Sequence, residues 1–268
     1  MRLVDIGANL THPAFQPDLD AVLARAREAG VAQIIVTGTT VEESRQAATL
    51  GMPFTAGVHP HHARDCGPDT ISALRALAKN PRNVAIGECG LDFNRNYSPH
   101  PDQEKWFSAQ LELGIELGKP LFLHSRDAHP RFAQILKHHG VKNAVAHCFT
   151  GEKVELRAYL DLDLHIGITG WICDERRGQH LVALVKEIPA NRLLLETDSP
   201  YLTPRDLRPQ PKARRNEPAF LPHILKAVAR ALGRPAEEVA ADTARNAREL
   251  FALHEPGSSA AAQRPLAA

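Results

Sequence analysis

The sequence lacks the features that mark secreted and membrane-bound proteins. Its four cysteines, Cys66, Cys89, Cys148 and Cys173, include no C-x-x-C pair, which favours thiols in or near a core in a reducing compartment. A membrane-spanning helix needs about 20 apolar residues in a row, and no apolar run approaches that length. The first residues run straight into a strand pattern without the apolar core of a signal peptide. We therefore expect a cytoplasmic protein that does not enter a membrane.

The chain also lacks an excess of charge of one sign, an internal repeat and an inter-domain linker. Its formal net charge is +1, which excludes a strongly basic surface but leaves room for the local basic patch that an enzyme acting on polyanions needs. The 268 residues, 43% of them hydrophobic, are enough for one large core. We predict a single domain over residues 1–254 and a disordered, small-residue tail over 255–268.

Short apolar segments alternate with helix-like segments along the chain. Between the apolar segments, hydrophobic residues recur at i, i+3 and i+4, which is typical of helices. The run Ile34-Ile35-Val36 is too apolar for a strand with one wet face, and it favours a parallel sheet covered by helices. The segments predicted as strands are 3–8, 33–37, 54–58, 83–87, 120–123, 143–146, 165–168 and 192–195.

About eight strand–helix units in about 250 residues predict an α/β fold of the TIM-type (β/α)8 barrel. The rival is a doubly wound open sheet, which would need a glycine-rich phosphate turn after an early strand, and the sequence has none. A helix is also expected over 175–187. Two last helices, over 218–232 and 235–253, are expected to close the outer ring of the barrel.

Four predicted strands are followed by residues that can bind a metal. Glu88 follows the fourth strand, His124 the fifth, His147 the sixth and Asp198 the eighth. In a barrel these strand ends converge on one mouth. Two imidazoles and two carboxylates form a mixed nitrogen and oxygen site for one or two divalent cations. For any one of the four alone, a capping or supporting role is the alternative.

Three histidines follow the third predicted strand. His59 is predicted to contact a phosphate or to support a second metal, although packing within the proline-rich loop fits it equally well. His61 and His62 are predicted to pack within that loop.

The loops after strands seven and eight hold more basic than acidic residues. Arginine beside a metal suits phosphate because its guanidinium forms two parallel hydrogen bonds. Exposed aromatic side chains at the same mouth can stack on the bases of a single strand. The alternative is an ordinary solvated charged face. The predicted substrate-binding residues are Arg126, Trp171, Arg176, Arg177, Tyr201 and Arg205.

Six ordered segments, spanning nearly the whole chain, resemble the TatD family of metal-dependent DNases. The resemblance implies a TIM-type barrel, metal-dependent phosphodiesterase activity and 3′→5′ exonuclease action on single-stranded DNA or RNA, with a link to DNA repair. It implies Mg²⁺ as the cofactor and places the metal positions on Glu88, His124, His147 and Asp198. The matching segments are DIGANLT at 5–11, AGVHP at 56–60, AIGECGLDF at 85–93, FLHSRDA at 122–128, HCFTG at 147–151 and LETDSPYL at 195–202.

The first strand departs from the pattern of many members, which carry D-x-H-x-H there. The segment DIGANLT at 5–11 holds no histidine, and His12 is predicted to point away from the mouth. This resembles the branch of the family without the histidine pair, and it favours one firmly bound cation with a second arriving with substrate. The softness of the two predicted histidine ligands also suits Mn²⁺ or Zn²⁺ as the cation.

These residues predict metal-assisted phosphodiester hydrolysis. Asp198 or Glu88 would orient a water or take its proton, while His59 and an arginine steady the phosphate. One alternative is an amidohydrolase-type barrel acting on a small molecule, which usually needs the histidine pair and often a bridging lysine. The other is a non-catalytic binding protein. The residues alone do not decide between DNA and RNA, and we expect a monomer by default.

Overall fold

Eight parallel strands form the centre of the fold. The computed structural model describes residues 2–211 and 214–254, and the predicted tail lies outside them. Each strand pairs with the next in chain order, and a bridge from Ala8 to Ser199 brings the first strand beside the end of the last. The strands are β1 Leu3–Ala8, β2 Val31–Val36, β3 Phe54–Ala56, β4 Asn83–Asp92, β5 Leu121–Arg126, β6 Ala144–Ala146, β7 His165–Ile168 and β8 Leu193–Leu195.

Helices connect the strands, and the predicted TIM-type barrel is confirmed. No helix within the described residues is long and apolar enough to cross a membrane. The α-helices of these ranges are α1 Leu19–Glu28, α2 Val41–Thr49, α3 Thr70–Ala78, α4 His100–Glu116, α5 Arg131–His138, α6 Lys153–Asp161, α7 Gln179–Leu184, α8 Leu221–Leu232 and α9 Ala236–Phe251. The 3₁₀ turns are Pro13–Phe15, Pro60–Asp65, Gly170–Cys173, Val185–Glu187 and Pro218–Phe220.

Two strands run further than the sequence predicts. An irregularity between Gly87 and Cys89 shifts the register of β4 against β5, after which pairing continues to Asp92 and Arg126. Such a bulge adds a residue without ending the strand. Glu88 and His124 therefore lie within their strands, whereas His147 and Asp198 follow theirs as predicted.

The helix predicted over 175–187 is wrong in its first turn. Asp174 Oδ1 accepts hydrogen bonds from the backbone N–H groups of Arg176 (2.9 Å) and Arg177 (3.3 Å). An aspartate that bonds the backbone two and three residues on favours a turn over a helix. As a result α7 begins only at Gln179.

The last helix covers one end of the barrel, which corrects its predicted place in the outer ring. Its apolar face packs with side chains that point into the barrel from β1, β2, β4, β5, β6 and β8. Asn246 donates hydrogen bonds to the carbonyl groups of Ala190 (2.7 Å) and Leu193 (2.9 Å), at the start of β8. Helix α9 therefore closes the end at which the strands begin. The ring of Phe251 lies 6.5 Å from that of Phe122 on β5.

Replacing Phe251 with alanine is expected to destabilise the protein by about 3–5 kcal/mol, because a buried aromatic ring would leave a cavity. Chemical denaturation followed by circular dichroism measures the change. Val154→Ala on α6 is the control. Val154 is 64% exposed, so its loss should change stability by about 0.5 kcal/mol or less. Equal effects of the two substitutions would show that α9 is not packed into the barrel.

Candidate metal centre

A cavity of about 630 Å³ opens where the strands end. It is the region in which barrel enzymes carry their catalytic groups. The described side chains that line it include all the predicted metal ligands and the predicted phosphate contact: His59, Glu88, His124, His147 and Asp198.

Three histidine side chains on the floor of the cavity meet at Glu88. Its Oε1 lies 2.7 Å from His147 Nε2 and 3.0 Å from His124 Nδ1. His59 Nε2 lies 3.2 Å from the same oxygen. Burial alone would raise the pKa of Glu88, but the nearby imidazoles of His147 and His59 hold it well below its ordinary value. The buried carboxylate is therefore ionised.

Glu196 supports His147 from the other side. Its Oε2 lies 3.3 Å from His147 Nδ1, and its Oε1 accepts a hydrogen bond from the Cys148 N–H. Burial alone would lower the pKa of His147, but Glu88 and Glu196 raise it well above its ordinary value. A carboxylate on the second ring nitrogen fixes the orientation of a histidine ligand. Side chains at Gly7 and Gly167 would collide with Glu196, so both glycines make room for it.

Asp92 is a cavity residue that the sequence did not reveal. Its Oδ2 lies 2.7 Å from His61 Nε2 and 3.5 Å from His124 Nε2. The predicted packing role of His61 is therefore wrong, since its ring faces the cavity 4.2 Å from that of His59. The predicted β4 ended at 87. With β4 extended, alternation along the strand places Glu88 and Asp92 on one face.

Asp198 faces the same cavity from the turn after β8. Its Oδ1 accepts a hydrogen bond of 3.1 Å from Asn9 Nδ2. Burial raises the pKa of Asp198 to about 7, although His147 acts in the opposite direction. One ligand atom each of His59, Glu88 and His124 lies within 4.8 Å of the other two, so these three residues form a group that could hold a metal ion. This group shares Glu88 and His124 with the predicted ligand set and has His59 in place of the predicted His147 and Asp198.

His12 also lines the cavity, which contradicts its predicted outward direction. Strand β1 ends at Ala8, so the alternation on which that prediction depended stops before His12. The His12 ring accepts the N–H of Ala14 at 3.1 Å. Its centroid lies 5.6 Å from that of Tyr201. The side chain therefore belongs to the rim.

The donor set fits a divalent cation. Three imidazole nitrogens lie within 3.2 Å of one buried carboxylate oxygen, and these are the ligand types that Zn²⁺ and Mn²⁺ share. His124 Nε2 is buried without a hydrogen-bond partner among the described residues. Its separation of 3.5 Å from Asp92 is too long for a strong hydrogen bond. An unsatisfied ring nitrogen of this kind is available to a metal.

The predicted substrate contacts divide into two groups. Arg126, Trp171, Arg177 and Tyr201 line the cavity. The guanidinium of Arg177 lies 4.3 Å above the Trp171 ring, which is a favourable cation–π distance. Tyr201 is 51% exposed. These side chains give the cavity a cationic and aromatic rim.

Arg176 and Arg205 are absent from the cavity lining within the described residues. Each lies 3.6 Å from Asp174, and Arg205 also contacts Glu175 at 2.9 Å. Asp174 and Glu175 therefore pair with arginines of both loops. Arg95 and Tyr97, which the sequence did not single out, do line the cavity.

Known proteins match the chain over nearly its full length. The family model for TatD related DNase matches residues 4–252. A protein of Erwinia amylovora named 3′-5′ ssDNA/RNA exonuclease TatD is 56% identical over 259 residues, which cover 94% of this chain and 100% of that protein. A Klebsiella pneumoniae protein of the same name is 53% identical over 262 residues, covering 95% of this chain and 100% of its own length.

Solved structures agree with the fold and with this relationship. The crystal structure of YJJV, a TatD homologue from Escherichia coli, superposes with a TM-score of 0.87 at 27% identity, covering 94% of this chain and 99% of that one. A TatD family hydrolase from Entamoeba histolytica gives a TM-score of 0.85 at 25% identity, with 94% and 98% covered. The chain belongs to the TatD-related DNase family.

Proposed function

We propose that this protein is a metal-dependent 3′→5′ exonuclease that degrades single-stranded DNA and RNA. The observation that carries the proposal is the convergence of three imidazoles on Glu88 beneath a rim that includes Trp171. The names of the relatives from Erwinia amylovora and Klebsiella pneumoniae support the polarity and the substrate class. Roles in DNA repair, a cytoplasmic location and a monomeric state stay predictions.

Glu88, His124, His147 and Asp198 are the residues proposed to hold the cation, with His59 beside them. When bound, Mg²⁺, or alternatively Mn²⁺ or Zn²⁺, would polarise the scissile phosphate and lower the pKa of a water. Asn9 holds Asp198 through one carboxylate oxygen, so the other oxygen is available to orient that water and take its proton. Glu196 keeps the His147 ring in place.

The rim is proposed to bind the end of the strand. The guanidinium groups of Arg126 and Arg177 would contact phosphate oxygens, because both side chains border the cavity. Trp171 and Tyr201 would stack on the terminal bases.

A small-molecule hydrolase is the second candidate. The described cavity lining contains no lysine and no histidine pair from β1, so it lacks groups that such enzymes often use.

Glu88→Gln is expected to lower nuclease activity on the order of a thousandfold, since the loss of a charged ligand removes several kcal/mol of metal-assisted stabilisation. Glutamine keeps the volume of a side chain that is only 4% exposed. The assay follows a 5′-labelled single-stranded oligonucleotide with Mg²⁺, with Mn²⁺ and with EDTA.

The unmodified protein and the control His138→Asn, on the exposed end of α5, should both give a ladder that shortens from the 3′ end. The ladder should appear with Mg²⁺ or Mn²⁺ and should be absent with EDTA. A 3′-labelled substrate should release its label in the first step. Cleavage that persists in EDTA or in Glu88→Gln would disprove the metal-site assignment, and loss of the 5′ label first would disprove the polarity.

Arg177→Ala is expected to raise KM for the oligonucleotide about tenfold, because a hydrogen bond to a charged group contributes about 1.5–3 kcal/mol. Its neighbour supplies a matched control. Arg176 and Arg177 pair with the same Asp174, and their side chains are 58% and 57% exposed, but only Arg177 lines the cavity. Arg176→Ala should therefore change KM less than twofold. Equal effects in steady-state kinetics would remove Arg177 from the substrate site.

Mn²⁺ at about 100 times its Kd is expected to stabilise the protein by about 2.7 kcal/mol, because the cation binds only the folded state. Thermal melts with Mg²⁺ and with Mn²⁺ should show the shift in the unmodified protein and in His138→Asn. Glu88→Gln and His124→Asn should lose it. A shift of equal size in all four proteins would place the cation elsewhere.

A further inference from the structure

A second group of metal-type donors lies outside the barrel mouth. Cys173 ends the 3₁₀ turn Gly170–Cys173, Asp206 lies in the loop after β8, and His223 lies on α8. One donor atom from each, a sulfur, a carboxylate oxygen and a ring nitrogen, lies within 4.8 Å of the other two. Three separate segments of the chain therefore bring a thiol, a carboxylate and an imidazole to one point.

The geometry of this cluster is close to what zinc requires. Zinc contacts sulfur at about 2.3 Å and nitrogen or oxygen at about 2.0–2.2 Å, so donors on one ion lie within about 4.6 Å of each other. His223 Nε2 and Asp206 Oδ1 share a hydrogen bond of 2.6 Å, which a metal bound between them would replace. Cys173 is buried, while Asp206 and His223 are accessible from solvent. An ion can therefore enter from the solvent side, and the thiol forms the inner wall.

We propose that Cys173, Asp206 and His223 form a second metal site, which binds Zn²⁺ with a water in the remaining position. This site is separate from the exonuclease centre and does not depend on the proposed function. Thiolate and imidazole together select Zn²⁺ over Mg²⁺, which prefers oxygen ligands.

Binding requires the Cys173 thiol to lose its proton to solvent while a sulfur–zinc bond forms, with no change of oxidation state. Burial raises the pKa of Cys173 to about 12, and Asp206 acts in the same direction. The thiol is therefore neutral before the metal arrives, and the proton is released on binding. Arg230 approaches Asp206 Oδ2 only to 3.9 Å, which leaves the oxygen nearest His223 for the metal.

The position of the cluster suggests what the ion would do. The turn that ends at Cys173 also carries Trp171. The next residue, Asp174, pairs with Arg177 in the loop after β7 and with Arg205 in the loop after β8. A metal across Cys173, Asp206 and His223 would join the loop after β7, the loop after β8 and helix α8. Its role would be structural, because it would fix the two loops that border the cavity.

Cobalt tests the site directly, because a cobalt–thiolate bond gives an intense near-ultraviolet charge-transfer band that oxygen and nitrogen ligands do not give. The titration uses full-length protein carrying Glu88→Gln, so that the barrel centre is impaired and nuclease activity plays no part. We expect a band that saturates at one Co²⁺ per chain and that Zn²⁺ abolishes by displacement.

Three substitutions in the Glu88→Gln background identify the residues that bind the Co²⁺ responsible for the band. Cys173→Ser should abolish it, and His223→Gln should weaken Co²⁺ binding at least tenfold. Cys148→Ser, which removes the thiol beside the barrel centre, should leave it unchanged. Zn²⁺ should raise the melting temperature of the Glu88→Gln protein and of its Cys148→Ser form but not of the Cys173→Ser form.

Absence of the band in the Glu88→Gln protein would overturn the proposal. A band that survives Cys173→Ser and disappears in Cys148→Ser would overturn it too, since the thiolate would then belong to the barrel mouth. If Cys173→Ser fails to fold, His223→Gln decides, because unchanged Co²⁺ affinity in that variant contradicts the site. None of these outcomes bears on the exonuclease proposal, which is tested by strand degradation at Glu88.

Discussion

The structure of the mouth depends on one buried carboxylate. Glu88 is ionised in a place where burial works against its charge, and three imidazoles compensate for this by approaching a single oxygen. Because a buried charge is costly unless it is paired, every element that supplies one of these imidazoles is tied to β4. The turn after β3, strand β5 and the segment after β6 therefore have their positions fixed by electrostatics as well as by barrel packing.

The sequence was sufficient for the barrel and for most of the floor of the cavity. Apolar runs of strand length ending in Glu88, His124, His147 and Asp198 are a local signal, and parallel strands of a barrel bring such ends together without further information. The family resemblance led to the same four residues. Asp92 was missed because the predicted β4 ended at 87, whereas the strand continues to Asp92 past an irregularity between Gly87 and Cys89. The direction of the His61 ring depends on the turn after β3, which no pattern of apolar residues reveals.

The rim was predicted less well, for a different physical reason. Whether an arginine is free to bind phosphate depends on which acids meet it, and Asp174 and Arg205 come from different loops. A count of charges along the chain treats both loops as basic, whereas in the folded protein Asp174 pairs with arginines from both of them. The place of helix α9 in the barrel was also predicted wrongly. Its amphipathic pattern shows that one face is buried but not whether that face covers the side or the end of a barrel.

The closure of the barrel by α9 has a consequence for how the protein is made. Phe251 packs near Phe122, whose ring lies 4.5 Å from that of His147, so the support beneath the metal centre reaches the last helix of the barrel. A chain that is still being synthesised has every proposed metal ligand well before this helix. The core around Phe122 nevertheless stays incomplete until α9 docks. Completion of the core beneath the site therefore coincides with completion of the domain.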